Sequence, residues 1–207
     1  MIRLLGKIPD RVTVACSGGS DSMVALDFLN NSRRQVSAAY FNHCTTHGHQ
    51  AKKFLKKYCK ERNITLHTGK ITRDRDPSES LEEYWRNERY KFFRGLEDPV
   101  VTAHHLDDAV EWWVYTSLHG DPRLMPHENP EFGIIRPFLI TPKSELLSWA
   151  QRKCVPYVSD PSNQTMEHAR NVVRHKIIPV CLDVHPGLPT VVRKKLTKYI
   201  KHYSQCG

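Results

Sequence analysis

The stretch VTVACSGGSDSMVAL (residues 12–26) passes from a β-branched apolar run into two glycines, three serines and an aspartate, then into apolar residues at helical spacing. A turn of this kind between strand and helix leaves backbone N–H groups and a positive helix end at the carboxyl edge of a sheet, which is an anion site. Gly18 and Gly19 allow close backbone approach, and Ser17, Ser20 and Ser22 add hydroxyl donors for phosphate oxygens. Asp21 repels a bare phosphate, so it makes sense either beside a Mg²⁺ ion or as a helix cap. Neither GxxxxGK[ST] nor GxGxxG is present, which leaves the P-loop NTPase and dinucleotide readings without support; an ordinary strand-to-helix turn is the plain alternative.

Outward from this turn, short β-branched or aromatic runs alternate with longer amphipathic stretches, the pattern of βαβ units and a parallel sheet. Strands are expected at 11–16, 36–41, 64–68, 99–103 and 134–137, with helices near 21–31, 47–62, 79–95 and 104–118. The third helix opens on a capping box, Ser80 to Glu83, and Thr141 and Pro142 start another that runs to about 153. Beyond DPSN (160–163) the pattern is all helical, with 166–178 and 188–203 separated by HPGLP. The expected fold is α/β, a doubly wound, mainly parallel five-stranded sheet flanked by helices over residues 1–155, followed by a small basic helical tail over 156–207.

The 207 residues carry 31 lysines and arginines against 22 acids, a formal charge of +9 that favours a polyanionic partner such as nucleic acid. No run approaches the ~20 apolar residues of a spanning helix, and the short apolar stretch of MIRLLGKIPD does not make a signal peptide, so a cytoplasmic protein is expected. The six cysteines are scattered without a CxxC pair, which reads as reduced thiols, several of them core filler. The lysines of KKFLKKYCKER (52–62) form a solvated face opposite Phe54, Leu55, Tyr58 and Cys59. Near the C-terminus a Val192, Leu196, Tyr199 and Tyr203 stripe leaves Arg193, Lys194, Lys195, Lys198 and Lys201 outward, where they can track RNA phosphates.

A second constellation is VVTAHHLDDAVEWW (100–113), in which a strand delivers His104, His105, Asp107, Asp108 and Glu111 to the start of a helix. Leu106, Val110, Trp113 and Ser117 share one face, with Ala109 beside it, and Asp108 and Glu111, three residues apart, project together from another. Paired like charges call for a cation, either Mg²⁺ or a substrate ammonium, unless the acids simply favour the helix N-terminus. Arg86 and Arg89 are likewise spaced to meet phosphate or nucleotide oxygens, or to form a solvated face with Glu82, Glu83 and Glu88. Tyr90, Phe92 and Phe93 read as core.

SGGSDS resembles the SGGxDS signature of the PP-loop, or N-type ATP pyrophosphatase, superfamily, and VTAHHLDDAVEWW resembles the TAHHxDDxxET motif of tRNA(Ile)-lysidine synthetases and their thiolating relatives. LEEYWRNERYKFF (81–93), IIRPFL (134–139) with Lys143 and Glu145, and SDPSNQTMEHARNVVRHKIIP (159–179) are similar to further lysidine synthetase segments, in the same order. The family pattern is interrupted at Tyr40, at HGDP (119–122) and at Trp112, and the chain looks like a minimal form without the family's C-terminal domains. The resemblance implies an adenine nucleotide alpha hydrolase-like fold and ligation of lysine to the wobble cytidine of a tRNA(Ile) with a CAU anticodon. ATP would adenylate the cytidine C2 oxygen, and the lysine amine would displace AMP to give lysidine. It implies ATP and Mg²⁺ at Ser17, Gly18, Gly19, Ser20, Asp21, Ser22 and His43, with Asp21 as the metal ligand. Catalytic roles fall to Asp21, Asp108, Glu111, Arg86 and Arg89, with Asp108 and Glu111 gripping lysine. Asn163, Arg170, Asn171 and Arg174 would contact tRNA. A thiolase-like enzyme, against which the missing CxxC counts, and a non-catalytic RNA-binding relative stay open.

Overall fold

The computed structural model describes residues 1–158 and 169–203. Its chain runs β1 (Arg11–Ala15), α1 (Ser20–Asn30), β2 (Gln35–Asn42), α2 (Thr46–Glu61), β3 (Leu66–Lys70), α3 (Leu81–Arg94), β4 (Val100–Val101) and α4 (Leu106–Leu118). Then come β5 (Glu128–Asn129), a 3₁₀ turn, β6 (Ile134–Ile135) and α5 (Lys143–Lys153). The sheet has six strands in the order β3-β2-β1-β4-β6-β5, parallel at every pair except β5 with β6. The antiparallel edge strand β5 is the addition to the five expected from sequence. Since successive strands run outward from β1 through β2 to β3 and then resume on its other side at β4, the topology switches between β1 and β4. Open α/β sheets bind ligands in the crevice outside such a switch point.

Alternation along the strands builds the two faces. Val12 and Val14 of β1, Ala38 and Tyr40 of β2 and Val101 of β4 join the largest core with Met23, Leu26 and Leu29 of α1, Leu55, Tyr58 and Cys59 of α2, and Leu146 of α5. Ala39 and Val100, one residue out of step, meet Tyr90 and Phe93 of α3 on the other face. The lysines of α2 at 53, 56, 57 and 60 are exposed, as its spacing predicts. Ser80 caps α3 by accepting a hydrogen bond from the Glu83 amide at 3.2 Å.

Past the sheet, α6 (Ala169–Val172) continues through a π-helical segment (Val173–Ile177) into α7 (Ile178–Val184), and α8 (Leu188–Tyr203) follows a tight turn. Val192 and Leu196 of α8 are buried against Leu106, Ala109 and Val110 of α4, while Lys194, Lys195 and Lys198 face outward. Tyr199, predicted as part of the buried stripe, is 44% exposed, and Ile200 is the next α8 residue that packs against the α4 cluster. No helix among the described residues is long and apolar enough to cross a membrane.

Candidate active site at the sheet switch point

The turn after β1 is held by its own serines. The Ser17 amide donates to Ser22 Oγ at 3.2 Å, Ser22 Oγ donates to the Gly19 carbonyl at 2.9 Å, and the Gly19 amide donates to Ser17 Oγ at 3.3 Å. Gly18 has φ of +91°, a left-handed conformation in which a side chain would be strained. Gly19 then stands at the N-cap of α1 with no side chain to satisfy the first-turn amides, which leaves them for an anion. Cys16 at the strand end is buried in the core, and desolvation pushes its thiol far up, which keeps it protonated.

These elements floor a cavity of about 440 Å³ lined by Ser17, Gly19, Asp21 and Ser22 from the turn, His43 beyond β2, Arg89 and Tyr90 from α3, and His104 and Asp108 from the β4–α4 junction. Burial works to raise the Asp21 carboxyl, but His105, with its Nε2 at 3.6 Å, and the Lys143 ammonium at 3.4 Å outweigh it and hold the group charged. His105 also caps α4. Its amide donates to Asp108 Oδ2 at 3.0 Å, and the Asp108 amide donates back to His105 Nδ1 at 3.4 Å. Burial lowers His105, yet the hydrogen bond to Asp21 and the charges of Asp108 and Asp107 raise it overall. Its neighbour His104 bonds Thr102 Oγ1 at 2.8 Å, and desolvation takes it down to about 4, leaving a neutral imidazole in the wall.

Asp108 and Glu111 are brought together as their spacing predicts, but the cation between them belongs to the protein. Arg170 Nε donates to Glu111 Oε1 and Arg174 Nε to Glu111 Oε2, each at 2.7 Å, while Arg174 Nη2 reaches Asp108 Oδ1 at 3.0 Å. Glu111 is 2% exposed beneath these guanidinium groups, and Asp108 alone of the pair lines the cavity. Leu106, Ala109, Val110 and Val114 of α4 are buried, as is Glu111; Trp113 is partly buried against the same apolar cluster, with Lys195 Nζ 5.2 Å from its ring centroid, and Ser117 is exposed. Arg86 and Arg89 lie over the Tyr90 ring at 5.1 and 5.8 Å. Asn171 sits in α6 between the tail arginines; Asn163 and the rest of DPSN lie outside the described residues. The sequence-based site set missed the part played by His105 and by Lys143 as partners of Asp21, and the histidine doublet and the lysine after IIRPFL are the signals that carry them.

The family profile described as the PP-loop domain matches residues 4–181. The chain belongs to the PP-loop family. Among the PP-loop proteins it resembles are tRNA(Ile)-lysidine synthases. It is 33% identical over 195 residues to that of Enterococcus faecalis, covering 84% of this chain and 41% of that protein. With that of Nitrosomonas europaea it shares 32% over 214 residues, 96% of this chain and 46% of the other. With that of Thermotoga maritima it shares 30% over 200 residues, 88% and 48%. The chain spans about half the length of the curated relatives it matches. An NMN synthetase from Francisella tularensis superposes with a TM-score of 0.54 at 13% identity, covering 92% of this chain and 85% of that one, and shares the fold.

If the turn holds the phosphates of ATP, Lys143, whose Nζ lies 3.4 Å from Asp21, is a cation beside them. Replacing Lys143 with methionine is expected to raise the KM for ATP by roughly tenfold or more, the worth of a charge-assisted hydrogen bond of about 1.5–3 kcal/mol. Steady-state kinetics at saturating co-substrates check this; an unchanged KM would place the phosphates elsewhere.

Proposed function

We propose that this chain ligates lysine to the wobble cytidine of a tRNA(Ile) with a CAU anticodon, at the expense of ATP. The observation that carries the reading is the convergence, at one switch point, of the phosphate-binding turn with a helix whose acids pair with arginines of the helical tail. The tail is basic, so the same residues that close the acid cluster offer an RNA contact. The names of the relatives support the choice of substrate.

In this reading the α1 amides and Lys143 hold the ATP phosphates. The cytidine C2 oxygen attacks the α-phosphate, the bond to the β-phosphate breaks, and pyrophosphate leaves. The lysine ε-amine then attacks C2, and AMP departs with the C2 oxygen. The amine must first lose a proton, and Asp108, held charged despite its burial by His105 and Arg174, is the acceptor this reading assigns at the cavity wall. Among the described residues no group of three or more metal-ligating side chains occurs. A site of one carboxylate with substrate phosphates nevertheless fits Mg²⁺, which keeps several waters, and Asp21 is the residue that would hold it; there it would neutralise phosphate charge.

Incubating the protein with ATP, Mg²⁺, lysine and a CAU-anticodon tRNA(Ile) transcript, then digesting the RNA for mass spectrometry, is expected to yield cytidine that has gained lysine less water. ATP cleavage to AMP without that nucleoside would point to another acceptor, and neither product would mean that this chain does not catalyse the reaction.

A further inference from the structure

Beside the cavity over the phosphate turn lies a second of about 350 Å³. The two share His43, Arg89, Tyr90 and His104 as a common wall. The far side of the second is formed by Trp85 and Arg86 of α3, Trp112 of α4, Arg136 after β6, and Arg170 of the tail. Glu82 is the single carboxylate among its lining residues, against four arginines. Arg170 is satisfied by Glu111, and Arg136 donates to the Pro126 carbonyl at 2.9 Å and reaches the Tyr90 hydroxyl at 3.5 Å. Arg86 and Arg89 have no carboxylate within ion-pair distance among the described residues. Two buried ring nitrogens are also left without a partner there, His43 Nδ1 and Trp112 Nε1.

The wall chemistry discriminates among occupants. A free lysine brings two ammonium groups and one carboxylate, so it would set a net positive charge against unpaired guanidinium groups, and its aliphatic stem has no use for the ring donors. A phosphate would meet the arginines but leave the aromatic faces idle. A pyrimidine satisfies both sets, since its flat face stacks on indole and its carbonyl and ring-nitrogen edge accepts from N–H groups. Trp85 is already stacked at a tilt on His43, ring centroids 5.2 Å apart, which fixes its plane at the mouth of the shared wall. Desolvation takes His43 down to about 4, so its ring enters as a neutral partner and adds no positive charge.

Resting on the ligase reading above, we propose that the second cavity receives the RNA base to be modified, extruded from the anticodon loop and stacked on Trp85, with its oxygen-bearing edge turned to Arg89 and His104. That placement sets the attacking C2 oxygen against the shared wall, on the other side of which the ATP phosphates lie. Arg86, exposed on the same helix, meets the backbone of the incoming nucleotide.

The test uses the full chain and an anticodon stem-loop RNA with fluorescent pyrrolo-cytidine at the wobble position, together with unlabelled RNA for kinetics. Binding is expected to quench the probe with the native protein and with Trp85→Phe, and to leave it unquenched with Trp85→Ala. The KM for RNA should rise about five- to hundredfold in Trp85→Ala, the range of base stacking on an aromatic ring, while those for ATP and lysine stay within about twofold. Arg86→Ala, at an exposed position that leaves the core intact, should raise the RNA KM and lower its salt dependence by about one phosphate. A rise in the lysine KM instead would assign the cavity to the amino acid, and quenching that persists in Trp85→Ala with an unchanged RNA KM would put the base elsewhere. Both results would overturn the subsite while lysine-bearing nucleoside still forms. Failure of the native protein to form that nucleoside on any cytidine-bearing RNA would overturn the ligase reading and the subsite with it.

Discussion

Asparagine in place of Asp21 is expected to lower turnover by at least about a thousandfold while leaving RNA affinity within about twofold. The substitution keeps size and much of the hydrogen bonding but removes the carboxylate of the proposed phosphate turn, and charge stabilisation removed from a phosphoryl centre is worth several kcal/mol, at about 1.4 kcal/mol per decade of rate. The fold should absorb the change. Asp21 is partly exposed, its partner Lys143 is 41% exposed and can turn to water, and His105 keeps Asp108 and Asp107 beside it. In the proposed reading the RNA contacts are made by the tail and the basic helix faces, away from the turn. Pyrophosphate release measured against filter binding of the stem-loop separates the two effects. Normal turnover in Asp21→Asn would withdraw the SGGSDS turn as the phosphate site; a parallel loss of RNA binding would mean that Asp21 acts on the shape of the whole cavity.

The parts of this site that could be read in the sequence are those where one short segment builds its own geometry. SGGSDS makes its turn from internal serine bonds and one left-handed glycine, and VTAHHLDD carries its own cap, so each is legible without its surroundings. The sheet is legible for a similar reason in β1 and β2, whose β-branched and small apolar residues alternate between two buried faces. By contrast β5 is two residues, Glu128 and Asn129, paired to Ile135 and Ile134, and nothing in its composition sets it apart from a loop. Strand pairing supplied by a neighbour is invisible to local propensity. The partners of the acids are hidden for the same reason. Arg170 and Glu111 are 59 residues apart in the chain, and only the folded tail reveals that Glu111 answers an arginine and that Asp108 is left to face the cavity. The expected α4 stripe holds through Trp113, which packs on the same cluster as Leu106 and Val110, and ends at exposed Ser117; the burial of Glu111 on another face could not be read from hydrophobic spacing, because two guanidinium groups of the tail supply its partners.

That glutamate carries the other large effect. Glu111→Gln is expected to cost about 2 kcal/mol of stability and to detach the tail locally before the sheet melts. Removing one partner from a buried ion pair commonly costs about 3–5 kcal/mol, but Arg170 and Arg174 are 37% and 40% exposed and can recover part of their hydration, so the lower figure applies. For a chain of this size that corresponds to a fall in Tm of about 4–8 °C. Hydrogen exchange should show reduced protection across 169–184 with β1 and β2 unchanged. RNA binding sharpens the reading, because the freed arginines become available to phosphate. In Glu111→Gln the salt dependence of RNA affinity should steepen, whereas in Arg170→Ala combined with Arg174→Ala it should flatten by about one unit of slope for each phosphate that those arginines neutralise. The triple variant, with acid and both arginines removed, is expected to be more stable than either parent of the cycle if burial of unpaired charge is the dominant cost. If Glu111→Gln leaves Tm and exchange at 169–184 unchanged, the tail is held by the α4–α8 apolar contact alone, and the acid must owe its burial to a ligand's ammonium instead of to the arginines.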